Sequence, residues 1–138
     1  MKTTRIIAGL GILAVFALAL ASAGPQVADK GLGPIKDLKL GPIDKALAAK
    51  GKDLFDQKCD MCHGLTEDKA GPALGDVLGR VPPEFVVNFL LNTTEMEQKD
   101  ARILGLIQKY GMPMPPPALD RDQALALLEY LRTTKKAS

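Results

Sequence analysis

The sequence predicts an all-α domain of about four helices joined by long loops. Apolar residues recur at helical spacing in separate segments after residue 43. No segment has the character of a convincing strand. Gly and Pro are concentrated between the helical segments, and loops this long in a small domain usually have a function or wrap something. We therefore expect a small helical domain folded around a group that its loops enclose.

The first helix is predicted to begin after Asp44, which is expected to be its N-cap. Its apolar face has the spacing i, i+4, i+7 and i+8 and consists of Leu47, Gly51, Leu54 and Phe55. Pro82 and Pro83 begin a second, short helix with the sequence "PEFVVNFLLN". Because this segment is apolar nearly all round, we expect it to be buried.

Two further helices are predicted in the last third of the chain. One runs from about Glu95 to Tyr110 with Ile103, Leu106, Ile107 and Tyr110 on one face. The following "GMPMPPPA", Gly111 to Ala118, cannot be regular structure, because Pro fixes φ and lacks a backbone donor. Asp120 then caps the last helix, with Gln123 as its capping-box partner. The buried face of this helix is Ala124, Leu127, Leu128 and Leu131.

Residues 1–23 have the order of a secretory signal peptide. Lys2 and Arg5 precede an apolar run from Ile6 to Leu20, and "ASA" offers a small-residue cleavage site ending at Ala23. The same stretch is long enough for a borderline membrane span, so a retained anchor stays open. In either case we expect export to the periplasm, and contact with the membrane only if this segment is retained.

Residues 24–42 form a Gly- and Pro-rich leader with the near-repeat "LGPIKD" and "LGPIDK". An extended leader on the surface and a flexible tether are both open, and the folded domain is expected over residues 43–138. The net charge of +2 comes from Lys2 and Arg5 in the signal segment, so the rest of the chain is balanced. Charge therefore gives no reason to expect a nucleic-acid partner.

The stretch "CDMCH", Cys59 to His63, contains both cysteines of the chain and its one histidine. C-x-x-C-H is the attachment motif of a c-type haem. Two thiols at this spacing can each bond one vinyl group of a porphyrin, and the adjacent imidazole can bind its iron. A covalent haem c would also fill a core that has no Trp and few other aromatic residues. Attachment of this kind takes place outside the cytoplasm, in agreement with a signal peptide.

Other roles of this motif are less consistent with the chain. A dithiol redox site normally lies in a βαβ context, and no strand is predicted. A structural zinc site takes four ligands, but Cys59, Cys62 and His63 supply three and no other Cys or His exists. A simple disulfide would leave His63 and the Gly/Pro loops without a role.

A second axial ligand must come from another residue type, since there is only one histidine. Methionine is the natural choice for electron transfer, because a His/Met pair raises the reduction potential. Met61 lies inside the attachment loop on the wrong side, and Met96 lies near a helix start. Met112 and Met114 lie in the proline-rich loop, where prolines preset the backbone and reduce the entropy lost when sulfur binds iron.

The segments "KGKDLFDQKCDMCHG", "AGPALGDVLGR" and "MPPPALDRDQALALLEYLR", in this order, resemble a class I monohaem cytochrome c from about Leu40 to Lys136. The resemblance implies that Met114 is the ligand, with Met112 as second choice. It implies that the carbonyl of Pro72 accepts a hydrogen bond from His63, which orients the ligand. It also implies that Arg80 could contact a haem propionate.

The same resemblance implies that Gly51 and Phe55 contact Tyr130 where the first and last helices cross. It implies a monomeric one-electron carrier of a respiratory chain and not an enzyme. A looser similarity, through the leader, is to cytochromes that donate electrons to a terminal oxidase or to nitrous oxide reductase. A quinol-oxidising complex is a further candidate redox partner.

Two other functions stay open: a dedicated haem subunit of a larger reductase or oxidase, and a haem sensor or enzyme with an open iron site. Candidate lysines for a docking patch are Lys58, Lys69, Lys99 and Lys109, and each is equally compatible with simple solvation.

Overall fold

Five α-helices and one 3₁₀ turn make up the regular structure of residues 30–134, the part of the chain that the computed structural model describes. The helices are α1 (Lys45–Lys58), α2 (Pro83–Leu91), α3 (Thr93–Lys99), α4 (Ala101–Tyr110) and α5 (Arg121–Thr133), and the 3₁₀ turn is Val77–Gly79. Residues 30–134 contain no strand, and the predicted all-α fold is confirmed. The predicted signal segment and residues 24–29 of the leader lie outside the described part.

Helices α1 and α5 cross at a glycine. A Cβ atom added at Gly51 would overlap the carbonyl oxygen of Ala126 and would approach Tyr130 Cβ to 2.9 Å. The rings of Phe55 and Tyr130 pack with their centroids 5.4 Å apart and tilted by 59°. The implied contact of Gly51 and Phe55 with Tyr130 is therefore confirmed. The glycine lets the two backbones approach closely, which brings the end of α1 against the C-terminal helix.

Predicted caps hold both helices at this crossing. The Asp44 carboxylate accepts from Ala46 N and Leu47 N at the start of α1. Asp120 and Gln123 form the predicted capping box at the start of α5, with bonds of 2.8 and 3.1 Å. The buried carboxylate of Glu129 accepts a 2.6 Å hydrogen bond from the backbone N–H of Asp44. This bond joins the N-terminus of α1 to the C-terminal half of α5.

The single helix predicted from Glu95 to Tyr110 is wrong, because the chain breaks at Asp100. This residue has extended backbone angles (φ −87°, ψ 118°), ends α3 and caps α4. Its fully buried carboxylate accepts from the backbone N–H groups of Arg102 and Ile103. An Asp that satisfies the first amides of a new helix favours a helix start over a helix interior.

Residues 30–42 of the leader pack against α2. Ile35 is buried in the main core, and the fully buried side chain of Asn88 accepts from its N–H and donates to its carbonyl, each at 2.9 Å. The Asn88 amide also donates to the carbonyl of Lys30. This segment is therefore an extended leader and not a flexible tether. It lies mainly on the surface as expected, with the difference that Ile35 is part of the core. The packed unit thus begins before the predicted start at residue 43.

No helix within residues 30–134 combines the length and the apolar character that crossing a membrane requires.

Candidate haem site

One cavity of about 490 Å³ lies between α2, α4, α5 and the segments that follow α1 and α4. Its walls are mainly apolar and include Phe85, Val86, Ile103, Leu127 and Leu131. All residues predicted for the cofactor site line it: Cys59, Cys62, His63, Pro72, Arg80, Met112 and Met114. Sites for organic ligands typically enclose about 300–1,000 Å³ and are mostly apolar with a few polar groups. The volume, the walls and the set of sulfur and nitrogen donors fit a haem.

The attachment motif follows the C-terminus of α1 without a break. Cys59 N–H donates to the carbonyl of Phe55, and the amides of Cys62 and His63 both donate to the carbonyl of Cys59. This tight turn brings both thiols and the imidazole to the same cavity. No disulfide joins Cys59 to Cys62.

Burial raises the pKa of the Cys59 thiol to about 11, an effect that neighbouring Lys58 only partly opposes. Redox-active cysteines have lowered pKa values, because the thiolate is the nucleophile. Burial therefore disfavours the thiolate form of Cys59.

His63 is oriented by the segment that follows it. Its Nδ1–H donates a 2.9 Å hydrogen bond to the carbonyl of Pro72, as the resemblance implies. This bond fixes the tautomer and leaves Nε2 available for iron. Gly71 was not singled out from the sequence, but a Cβ there would lie 2.5 Å from His63 Cε1. The ring can occupy this position because residue 71 has no side chain.

The four candidate methionines lie in different environments. Met61 is 90% exposed, and Met96 is fully buried in a cluster with Phe85 and Ile103. Met112 and Met114 both line the cavity, but Met112 is 53% exposed whereas Met114 is partly buried. The backbone N–H of Met114 also donates a 2.7 Å hydrogen bond to Glu97. Burial and backbone anchoring therefore favour Met114.

The methionine loop is held at several points along its length. Gly111 ends α4 with a left-handed conformation (φ 77°), and Asp120 caps α5 at the other end. Between them, Lys58 Nζ donates to the carbonyl of Pro117 at 3.3 Å. This contact connects the loop to the helix that carries the attachment motif.

Arg80 reaches the cavity from the segment after the 3₁₀ turn. Arg80 is exposed, and its guanidinium donates a short hydrogen bond to the carbonyl of Ala73. A guanidinium at the rim of the cavity suits a carboxylate partner, because its planar donors match carboxylate geometry. Contact between Arg80 and a propionate stays a prediction.

Two contacts of residues that line the cavity, Met114 and Tyr110, have no signal in the sequence, because they join residues far apart in the chain. Glu97 accepts from Met114, and Asp68 accepts a 2.6 Å hydrogen bond from the hydroxyl of Tyr110. Asp68 also accepts from Ala73 N–H and Lys109 Nζ. The Tyr110 hydrogen bond, followed by those from Ala73 and Lys109, lowers the pKa of Asp68 to about 2.

The four lysines considered for a docking patch all have partners within the chain. Lys69, Lys99 and Lys109 form ion pairs with Asp60, Glu95 and Asp68. Lys58 donates to the backbone of the methionine loop. The three ion pairs reduce the local positive field around their lysines, whereas the carbonyl bound by Lys58 is neutral and does not compensate its charge.

Residues 48–135 match the protein family described as Cytochrome c. The chain belongs to the cytochrome c family. Members of this family bind covalent haem c and transfer electrons. A solved cytochrome c from Rhodothermus marinus is 42% identical, with a TM-score of 0.74 over 80% of this chain and 97% of that one.

An engineered cytochrome c from the same organism, solved with a bound carbene intermediate, is 40% identical with a TM-score of 0.73. This similarity covers 83% of the present chain and all of the engineered one. A curated cytochrome c from Tetrahymena pyriformis is 47% identical over 34 residues, which is 24% of this chain and 31% of that relative. This shorter match therefore spans about a third of the curated relative.

Proposed function

We propose that this cytochrome c is an exported, monomeric one-electron carrier of a respiratory chain. Haem c would be held through Cys59 and Cys62, with iron between His63 and Met114. The observation that supports this most strongly is the gathering of these four side chains around one apolar cavity. They come from two segments more than 50 residues apart, and together they would supply both thiols for attachment and both ligands of the iron.

When bound, haem c supplies an iron that gains or loses one electron. The chain sets the conditions for that exchange. The His63–Pro72 hydrogen bond makes the imidazole a more basic ligand of fixed orientation. A thioether from Met114 raises the reduction potential relative to a second imidazole. With His63 and Met114 both holding the iron, no position would be left for a substrate.

The apolar walls exclude water and restrict movement of the axial ligands. Phe85 and Val86 from α2, Ile103 from α4 and Leu127 from α5 all face the cavity. Closely packed side chains of this kind resist rearrangement. A site that changes little in geometry between oxidation states suits rapid electron exchange.

The partners that we propose are redox proteins: a terminal oxidase or nitrous oxide reductase as acceptor, and a quinol-oxidising complex as donor. Carriers of this kind dock through small transient interfaces, typically below about 1,200 Å². The resemblance of the leader supports this proposal. Periplasmic location and use of the signal segment are part of the same proposal and rest on residues 1–23 of the sequence.

Axial ligation is tested with the haem-loaded wild type and two single variants. The wild type should give low-spin spectra, show the far-red sulfur-to-iron band and resist carbon monoxide in the ferrous state. Met114→Ala should lose the band and bind carbon monoxide readily, whereas Met112→Ala should behave as the wild type. Loss of the band in Met112→Ala instead would reverse the ligand assignment, and ready binding by the wild type would favour an open-iron sensor or enzyme.

Purification from the native membrane and periplasmic fractions separates a carrier from a dedicated subunit. A carrier should dissociate from its redox partners and appear as a monomer. Co-purification with a reductase or oxidase in fixed stoichiometry would contradict the carrier role.

A further inference from the structure

The backbone around Met114 has very few hydrogen-bond donors. In the run Pro113-Met114-Pro115-Pro116, Met114 alone has a backbone N–H, because proline has none. The prolines restrict the conformations of the loop but cannot tie it to the rest of the domain through their amides. The attachment of this short run to its surroundings therefore depends strongly on the one amide it has.

That amide is bound by a carboxylate on a different element. Met114 N lies 2.7 Å from Glu97 Oε1, although the two residues are 17 positions apart. A carboxylate acceptor makes this hydrogen bond stronger than a bond between neutral groups. Glu97 is partly buried and lines the same cavity as Met114.

The helix that presents Glu97 is well anchored. Its neighbour Met96 is fully buried and packs with Phe85 and Ile103. Asp100, at the end of the same helix, is fully buried and caps α4. Glu97 therefore offers an acceptor at a defined position, and its side chain does not need to search for the loop amide.

We propose that Glu97 is a positioning residue for the axial methionine. Its carboxylate holds the Met114 amide and so keeps the thioether within reach of iron. This inference rests on the proposed His63/Met114 ligation. In this role, the hydrogen bond from the Met114 amide to Glu97 limits how often the methionine loop moves away from the iron.

The charge of Glu97 has a separate consequence. A negative charge at the cavity wall stabilises the oxidised, more positive state of the bound group over the reduced state. Arg80 and Arg102 line the same cavity with the opposite charge. Removing the negative charge of Glu97 should therefore shift the reduction potential of the bound haem upward.

Two substitutions separate the hydrogen bond from the charge. Glu97→Ala removes both, whereas Glu97→Gln removes the charge but keeps a side-chain carbonyl that can accept from the amide. The matched control is Glu95→Ala on the same helix, because the Glu95 carboxylate is paired with Lys99 and Asn92. All variants are made as the full-length, haem-loaded protein.

The first measurement is the rate at which ferrous protein binds carbon monoxide, which requires the thioether to leave iron. We expect Glu97→Ala to bind about tenfold faster than the wild type, since a charge-assisted hydrogen bond is lost. Glu97→Gln should lie between them, and Glu95→Ala should match the wild type. Hydrogen exchange at the Met114 amide should accelerate in the same order.

The second measurement is the reduction potential. We expect an upward shift of similar size in Glu97→Ala and Glu97→Gln, because both lose the charge, and a much smaller shift in Glu95→Ala. If Glu97→Ala fails to fold, Glu97→Gln still tests the proposal through its potential and through exchange at Met114.

The possible outcomes distinguish this inference from the proposed function. The inference alone would be overturned by two results together. The wild type would show the far-red band and resist carbon monoxide, and Glu97→Ala would bind carbon monoxide and exchange its Met114 amide hydrogen at the wild-type rates. A wild type without the band that binds carbon monoxide readily would overturn the His/Met ligation and the inference with it.

Discussion

The hydroxyl of Tyr110 donates a 2.6 Å hydrogen bond to the carboxylate of Asp68. Asp68 lies in the loop after His63 and also accepts a hydrogen bond from the backbone N–H of Ala73. Ala73 directly follows Pro72, whose carbonyl orients the imidazole of His63. Tyr110 is the last residue of α4 and leads directly into the methionine loop. This contact therefore joins the segment that orients His63 to the segment that carries Met114.

Asp68 should stabilise the domain in a pH-dependent manner. Its pKa falls from an ordinary value of 3.8 to about 2, so its contribution is present above pH 4 and is lost as pH falls through 2. Denaturant unfolding of Asp68→Asn and the wild type should show a difference in free energy that is constant from pH 6 to about pH 4 and shrinks between pH 4 and pH 2. Tyr110→Phe removes the largest cause of the shift and should weaken the same dependence. A difference that stays constant down to pH 2 would contradict this role.

Gly51→Ala should destabilise the domain by about 1–3 kcal/mol or more, because its Cβ would overlap the carbonyl of Ala126 and force α1 away from α5. The matched control is Gly105→Ala in α4, where an added Cβ meets nothing within 4 Å. That control should stabilise by about 0.5–1 kcal/mol through helix propensity. Both changes are to be measured by denaturant unfolding of the haem-loaded protein, and equal effects of the two substitutions would show that the crossing tolerates a side chain.

The local parts of the fold could be predicted from the sequence, because their signals lie within a few residues. Asp44 and Asp120 precede the helices that they cap, and C-x-x-C-H is contiguous. Asp100 was missed because the apolar period of its segment continues past it, and only burial of its carboxylate makes it a cap. Polar side chains that bind distant backbone carry no periodic signal.

The contact between Asn88 and the leader is an example of such binding to distant backbone. Asn88 lies 53 residues from Ile35 and sits in a mostly apolar segment, so nothing local indicates that its amide binds the leader. Glu97 and Met114 are a second example, with the same cause. Spacing could indicate the methionine loop, but it could not indicate the acceptor of its amide.

Asn88→Ala should cost at least about 2 kcal/mol of unfolding free energy, since it leaves buried backbone groups of the leader without partners. The groups affected are the N–H and carbonyl of Ile35 and the carbonyl of Lys30. Hydrogen exchange should increase selectively in residues 30–38. Gln98→Ala, an exposed substitution on α3, serves as control. Unchanged exchange in the leader of Asn88→Ala would show that burial of Ile35 alone holds this segment.

Gly71→Ala should disturb the histidine side of the site. The added Cβ would lie 2.5 Å from His63 Cε1, so the ring must move or the loop must shift. We expect altered axial-ligand spectra and a loss of about 1–3 kcal/mol in unfolding free energy. Gly105→Ala is again the control and should leave the spectra unchanged. Wild-type spectra in Gly71→Ala would show that the loop adapts without moving the imidazole.

The central claim is a covalent bond between haem and both cysteines, and intact mass after denaturation tests it most directly. Protein purified from the exported fraction of a host that matures c-type cytochromes should carry the added mass of one haem, and acidified organic solvent should not remove it. Cys59→Ala with Cys62→Ala should abolish the added mass. Wild-type protein that releases its pigment to acidified solvent, or that carries no added mass, would contradict the account.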